Sequence, residues 1–106
     1  MKDAGVPIKF RLCDTLGVGK PFTRLAIPRS VPALVHHVKE ETNVHATQLE
    51  WHGHNDYYYA VANSTAAWLH GLSSISTTLL GIGERTGNTP LEAMQSFHCP
   101  KSHILR

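Results

Sequence analysis

Strand-like and helix-like stretches alternate three times along this chain, and every strand-like stretch runs straight into a cluster of polar residues. The first, roughly Ile8 to Cys13, ends in Asp14-Thr15-Leu16-Gly17. The second, roughly Thr47 to His52, ends in Gly53-His54-Asn55-Asp56. The third, roughly Ser74 to Leu80, is rich in β-branched residues and opens onto a glycine loop from Gly81 to Asn88. Alternation of this kind predicts an α/β fold: a parallel sheet whose strands are joined by right-handed helical crossovers. In such folds, chemistry gathers where strands end and loops begin.

The helices are legible from their caps and periodicity. Ser30 is expected to cap the first, with Pro32 tolerated in its first turn. Val31, Leu34, Val35 and Val38 fall on one helical face, and Asn43 is a stop. The second is expected to be capped by Asp56, to bury Tyr58, Val61, Ala62, Thr65 and Leu69, and to end at Gly71. Thr89-Pro90-Leu91-Glu92 reads as a capping box with proline at the first position of the third, which runs toward Phe97 and stops by Pro100.

The 106 residues suffice for one small domain. No apolar run approaches the roughly 18 residues of a membrane span, and no charged-then-apolar leader opens the chain, so a cytoplasmic protein without a membrane partner is expected. The net charge of +2 is small, and Lys9, Arg11, Lys20, Arg24 and Arg29 form no continuous stripe with aromatics, which argues against a nucleic-acid surface. Cys13 and Cys99 match no metal or redox spacing, and Cys13 is expected to be a reduced, buried small hydrophobe. Histidine is the outlier, with eight copies.

His52 and His54 lie two apart on an extended stretch, which puts both on one face with α-carbons about 6.5 Å apart. Two imidazoles so placed can reach one cation, and Asn55 and Asp56 can orient them from behind. A catalytic divalent ion needs further oxygen donors, which Asn88 or residues outside this chain could supply. Such a mixed shell suits magnesium, manganese or zinc. The Gly81 to Asn88 loop has glycines spaced G-x-G-x-x-x-G, one residue off the dinucleotide fingerprint. It reads either as a flexible loop bringing Glu84, Arg85 and Asn88 around a substrate or as a plain tight connection. Thr15 reads either as a hydroxyl for a substrate carboxylate or as part of a turn. His36 and His37 read as surface residues, Trp51 and Trp68 as core or interface aromatics, and Tyr57, Tyr58 and Tyr59 as packing residues.

Leu49-Glu50-Trp51-His52-Gly53-His54-Asn55-Asp56, followed after a helix by Leu80-Gly81-Ile82-Gly83-Glu84-Arg85-Thr86-Gly87-Asn88-Thr89-Pro90-Leu91-Glu92, resembles the isopropylmalate synthase and homocitrate synthase family of DRE-TIM metallolyases. Asp14-Thr15-Leu16-Gly17 stands where that family has Asp-Thr-x-Gly. Trp51 before the histidines and Ala67-Trp68-Leu69 in the helix look most like the Re-type citrate synthase branch. The resemblance spans about residues 6 to 95.

The resemblance implies a (β/α)8 TIM barrel, of which this chain would be three βα units, strands five to seven. Residues 1–95 would be the partial barrel and residues 96–106 an atypical tail, possible as a disordered segment. Members of the family join acetyl-CoA to a 2-oxo acid with a divalent metal. The resemblance makes His52, His54 and Asn88 metal ligands, Thr15 a contact for the oxo-acid carboxylate, and Glu84 and Arg85 catalytic-loop residues. The family's Arg-Asp strand, whose aspartate is a ligand, has no counterpart here, and a whole barrel takes about 250 residues. The chain is therefore expected to be a fragment, inactive alone, that associates with itself or a partner through exposed barrel edges. A related acyl-CoA lyase of the hydroxymethylglutaryl-CoA type and a non-catalytic metal-binding remnant are the alternatives.

Overall fold

The computed structural model describes residues 5–98. Three parallel strands lie in the order β1 (Phe10–Asp14), β2 (Leu49–Gly53), β3 (Ser74–Ile75). Helix α1 (Val31–Thr42) links the first two, α2 (Ala60–Leu69) the second pair, and α3 (Leu91–His98) follows β3. The expected α/β parallel architecture is present.

Alternation along β2 separates the two faces of the sheet. Leu49 and Trp51 point into a core with Val31 and Val35 of α1, Ala66 and Ala67 of α2, and Leu72. Trp51 is 1% exposed, so its ring is the largest single contribution to that core. On the opposite face the register sets Arg11 beside Glu50 and Cys13 beside His52. Arg11 and Glu50 pair at 3.0 Å. Cys13 is free and exposed there, not buried as expected: β1 is an edge strand, and its neighbours in sequence said nothing of which face the helices would cover.

Helix α1 forms as its sequence predicts. Ser30 Oγ accepts from the Ala33 N–H at 3.1 Å, Pro32 sits in the first turn, and Asn43 closes the helix in the left-handed conformation with its N–H on the Lys39 carbonyl.

Helix α2 departs from expectation. It buries Ala60, Asn63, Ser64, Ala66 and Ala67, while Tyr58 is 85% and Leu69 65% exposed, and Val61 is exposed too. Close approach of the helix to the sheet selects small side chains, and that overrides the apolar periodicity. Asp56 does not cap it: the N-cap position is Tyr59, with no side-chain cap, the Ala60 N–H donates to Asn55 Oδ1 at 3.2 Å, and Asp56 is committed to Arg85.

The third strand is only Ser74–Ile75, opposite Glu50 and Trp51, shorter than the stretch to Leu80 that the sequence suggested, although β2 runs on to Gly53. The chain then folds into a tight turn, Leu79–Gly81, in which Leu80 adopts a φ of 56°. The Thr89 to Glu92 capping box does not form. Thr89 Oγ1 pairs with Ser64 Oγ at 2.7 Å, and Glu92 accepts from the Leu80 N–H at 3.1 Å. Pro100, Cys99 and His103 lie outside the described residues, as does the tail from residue 99 on.

Candidate functional site

Three loops converge at the carboxyl ends of the strands. The first is shaped by Asp14, which is 8% exposed and accepts from the Val18 and Gly19 N–H groups, both at 2.9 Å. Its backbone carbonyl accepts from the His54 N–H at 3.1 Å and so extends the parallel ladder one step beyond the strands. Gly17 holds a φ of 64°, and a Cβ there would lie 2.9 Å from the Asp56 nitrogen. This loop therefore rests directly on the one that follows β2.

The glycine loop docks on the same strand end. Asn88 is 6% exposed and donates from Nδ2 to the Gly53 carbonyl at 3.1 Å, while its backbone bridges to His54. The Asn55 N–H donates to the Gly87 carbonyl at 3.0 Å. A Cβ on Gly83 would overlap Asn88 Oδ1, which explains the need for glycine there.

Arg85 ties all three loops together. Its Nε donates to Asp56 Oδ2 at 2.9 Å and its Nη2 to Oδ1 at 3.2 Å, and Nη2 also donates to the Thr15 carbonyl. The Arg85 guanidinium holds the Asp56 carboxyl below its ordinary pKa, and Asp56 in turn raises that of Arg85. Glu84 is 82% exposed and only 3.9 Å from Arg85, a loose pair.

Within this frame the two imidazoles sit with ring centroids 5.1 Å apart and planes at 90°. His52 is half-buried and shares a hydrogen bond of 3.2 Å between Nδ1 and Ser76 Oγ. Its pKa lies below the ordinary imidazole value because burial disfavours the cation, and His54 and Arg11 add repulsion. His54 is 7% exposed, and its Nδ1 is enclosed without a hydrogen-bond partner among the described residues.

The structure thus brings together His52, His54, Asn88, Arg85 and Thr15, as the sequence suggested, and leaves Glu84 at the rim. Asn55 and Asp56 do not orient the histidines: the first accepts from the Ala60 N–H at the start of α2 and the second holds Arg85. Ser76 takes that role for His52, and its only signal in the sequence was a hydroxyl just beyond β3. Among the described residues no three His, Cys, Asp or Glu side chains converge as a complete metal cluster. Two nitrogen donors and a nearby carboxamide could form part of one.

The profile of the family described as HMGL-like matches residues 1–97. The chain belongs to that family. Among curated relatives of this HMGL-like chain, the citrate (Re)-synthase of Clostridium kluyveri is 57% identical over 93 residues, 88% of this chain and 20% of that protein. Homocitrate synthase 1 of Nostoc sp. is 40% identical over 84 residues, covering 79% of this chain and 20% of its own length. Among solved structures, an HMG-CoA lyase from Acenitobacter baumannii in complex with coenzyme A and 3-methylmalate aligns with a TM-score of 0.66 and 26% identity, over 83% of this chain and 29% of the lyase. The three-stranded parallel unit therefore matches part of an HMGL-like barrel, and the chain spans about a fifth of the length of the curated relatives it matches. Among the described residues no helix is long and apolar enough to cross a membrane.

Proposed function

We propose that the chain is a piece of an acyl-CoA-dependent synthase that condenses acetyl-CoA with a 2-oxo acid, of the citrate, homocitrate or isopropylmalate type. The reading rests on one observation: two perpendicular imidazoles 5.1 Å apart at a strand end, with Asn88 fastened to the backbone between them. The family implies a divalent metal, and the donor set fits part of its shell. His52 and His54 would hold the ion through ring nitrogens, with Asn88 beside them, and other oxygens would come from water, substrate and chain not present here. The chemistry such an ion supplies is polarisation of a bound keto group toward attack.

The protein's own residues do the rest. The depressed pKa of His52 keeps its ring neutral near pH 7, the form that can ligate. Ser76 fixes the tilt of that ring through Nδ1. The Thr15 hydroxyl makes no hydrogen bond among the described residues and stands free for a substrate carboxylate, while its carbonyl is anchored by Arg85. Arg85 holds the glycine loop over the strand ends, and Glu84 next to it is placed at the rim where a substrate enters. The same three βα units would be strands five to seven of the barrel, with residues 96–106 as a tail outside it. The open edges at β1 and β3 would take up further barrel strands, a second copy of the chain or a partner. A cytoplasmic protein is the corresponding expectation.

The lyase reading has its own support in the HMG-CoA lyase structure, but the 57% identity to a citrate (Re)-synthase favours condensation. Calorimetric titration of manganese and zinc into the chain and into a His52→Ala, His54→Ala double variant tests the ligands. Binding lost in the variant supports the assignment, and equal affinity in both defeats it. Release of free thiol from acetyl-CoA in the presence of oxaloacetate, pyruvate or 2-oxoglutarate, measured on a full-length relative, separates synthase from lyase.

A further inference from the structure

Behind the two histidines, Trp51 and Gly53 stand in a relationship that has no assigned role. Residues 51 and 53 of β2 point to the same side of the sheet, away from His52 and toward the helices. Gly53 pairs with Asp14 in the ladder, and its φ is not positive, so its backbone is one that any residue adopts. Space is what requires glycine. A Cβ on Gly53 would lie 2.8 Å from Trp51 Nε1 and 3.5 Å from its Cε2. The ring cannot give way cheaply, because it is buried among Val31, Val35, Ala66, Ala67 and Leu72. Its indole N–H also has no hydrogen-bond partner among the described residues, where a buried indole usually finds one. Shape, not a polar contact, therefore places this ring, and its pyrrole edge fills the room that a side chain at 53 would take.

Both imidazoles depend on backbone that this ring supports. The Trp51 carbonyl accepts from the Ser76 N–H at 2.8 Å, and Ser76 Oγ holds His52 Nδ1. The Gly53 carbonyl accepts from Asn88 Nδ2, and the Asn88 backbone bridges to His54. Residues 51 to 54 are thus fixed along the sheet by Ser76 and Asn88, and from the core side by the indole.

We propose that Trp51 is a positioning residue for this site: its indole braces the Gly53 backbone and so sets the separation and crossing of the His52 and His54 rings. Positions 51 and 53 are then coupled, since the large ring at one demands glycine at the other. That the two imidazoles ligate a metal rests on the reading above; that Trp51 places them does not.

The test is a double-variant cycle on the metal-free chain at fixed pH, read by the imidazole C–H signals in NMR and by the thermal midpoint. Gly53→Ala is expected to move the ring signals of both His52 and His54 and to lower the midpoint by about 4 °C or more, the cost of overpacking. In a Trp51→Met background the flexible thioether chain leaves room for the added methyl. There the same Gly53→Ala change should move those signals little and leave the midpoint where it was. Zinc affinity by chelator competition should follow: at least about tenfold weaker for Gly53→Ala in the parent chain, and nearly unaffected by it in the Trp51→Met background. If Trp51→Met does not fold, Gly53→Ala alone decides, since the Trp51 Nε1–H signal must then move together with those of both imidazoles. If no protein of the set binds zinc while the ring signals follow the cycle, the metal assignment fails and the positioning role stands. Imidazole signals unmoved by Gly53→Ala, or moved equally in both backgrounds, overturn the proposal.

Discussion

Asn88 and Gly53, 35 positions apart in sequence, are joined by a hydrogen bond of 3.1 Å from the carboxamide to the backbone carbonyl between the two histidines. The bond is buried, and the Asn88 backbone also bridges to His54. A single side chain thus fixes the glycine loop to the strand end that carries both imidazoles.

Asn88→Ala leaves the buried Gly53 carbonyl without that partner. An unfolding free energy lower by about 1–3 kcal/mol is expected in urea denaturation, with metal affinity reduced as well. Unchanged stability and affinity would show that the loop is held by its backbone alone.

Ser76→Ala removes the partner of His52 Nδ1 without touching a proposed ligand. Metal affinity measured by chelator competition is expected to fall roughly 10- to 100-fold, the usual cost of losing an orienting group behind a ligating histidine. Ser76→Thr, which keeps the hydroxyl, should restore most of it.

The pKa of His52 is lower in the fold than its model value of 6.5, so the unfolded chain binds its proton more readily. Stability from this residue is complete above pH 6.5 and is lost as pH falls through the folded pKa. Urea midpoints of the metal-free chain should drop on acidification from pH 7.5, and the drop should be smaller in His52→Gln.

The Asp56–Arg85 pair is partly exposed and is expected to order the loops more than to raise global stability. Arg85→Ala should speed amide hydrogen exchange at Gly83 to Gly87 while shifting the thermal midpoint little. Asp56 has its pKa depressed below 3.8, so its contribution is present above that pH and fades as pH falls through the lower folded value. The exchange rates of the wild-type loop should therefore rise toward those of Arg85→Ala only in strong acid.

Gly17→Ala places a Cβ 2.9 Å from the Asp56 nitrogen at a φ of 64°. The two loops must separate, and a loss of at least about 1 kcal/mol is expected from the backbone conformation alone. A thermal midpoint equal to that of wild type would mean that the loop carrying Gly17 does not rest on the one carrying Asp56.

Local signals set out much of this protein in the sequence. Helix α1 was readable because its caps, Ser30 and Asn43, act on backbone groups within four residues, and its apolar spacing meets the core as written. The parallel order was readable because strand–helix alternation leaves few other topologies. His52 and His54 were readable because residues two apart in an extended chain share a face whatever surrounds them.

Tertiary structure decided the rest, and for one reason: those features depend on which distant segment arrives at a given surface. Helix α2 turned Ala60, Ala66 and Ala67 inward, leaving Leu69 and, before it, Tyr58 outside. The third strand pairs only at Ser74 and Ile75, and Cys13 was left exposed on the uncovered face of an edge strand. Asp56 found Arg85 across 29 positions, and His52 found Ser76 across 24. Composition and periodicity along the chain fix what each segment prefers to be; only packing in three dimensions chose the partners of its polar groups.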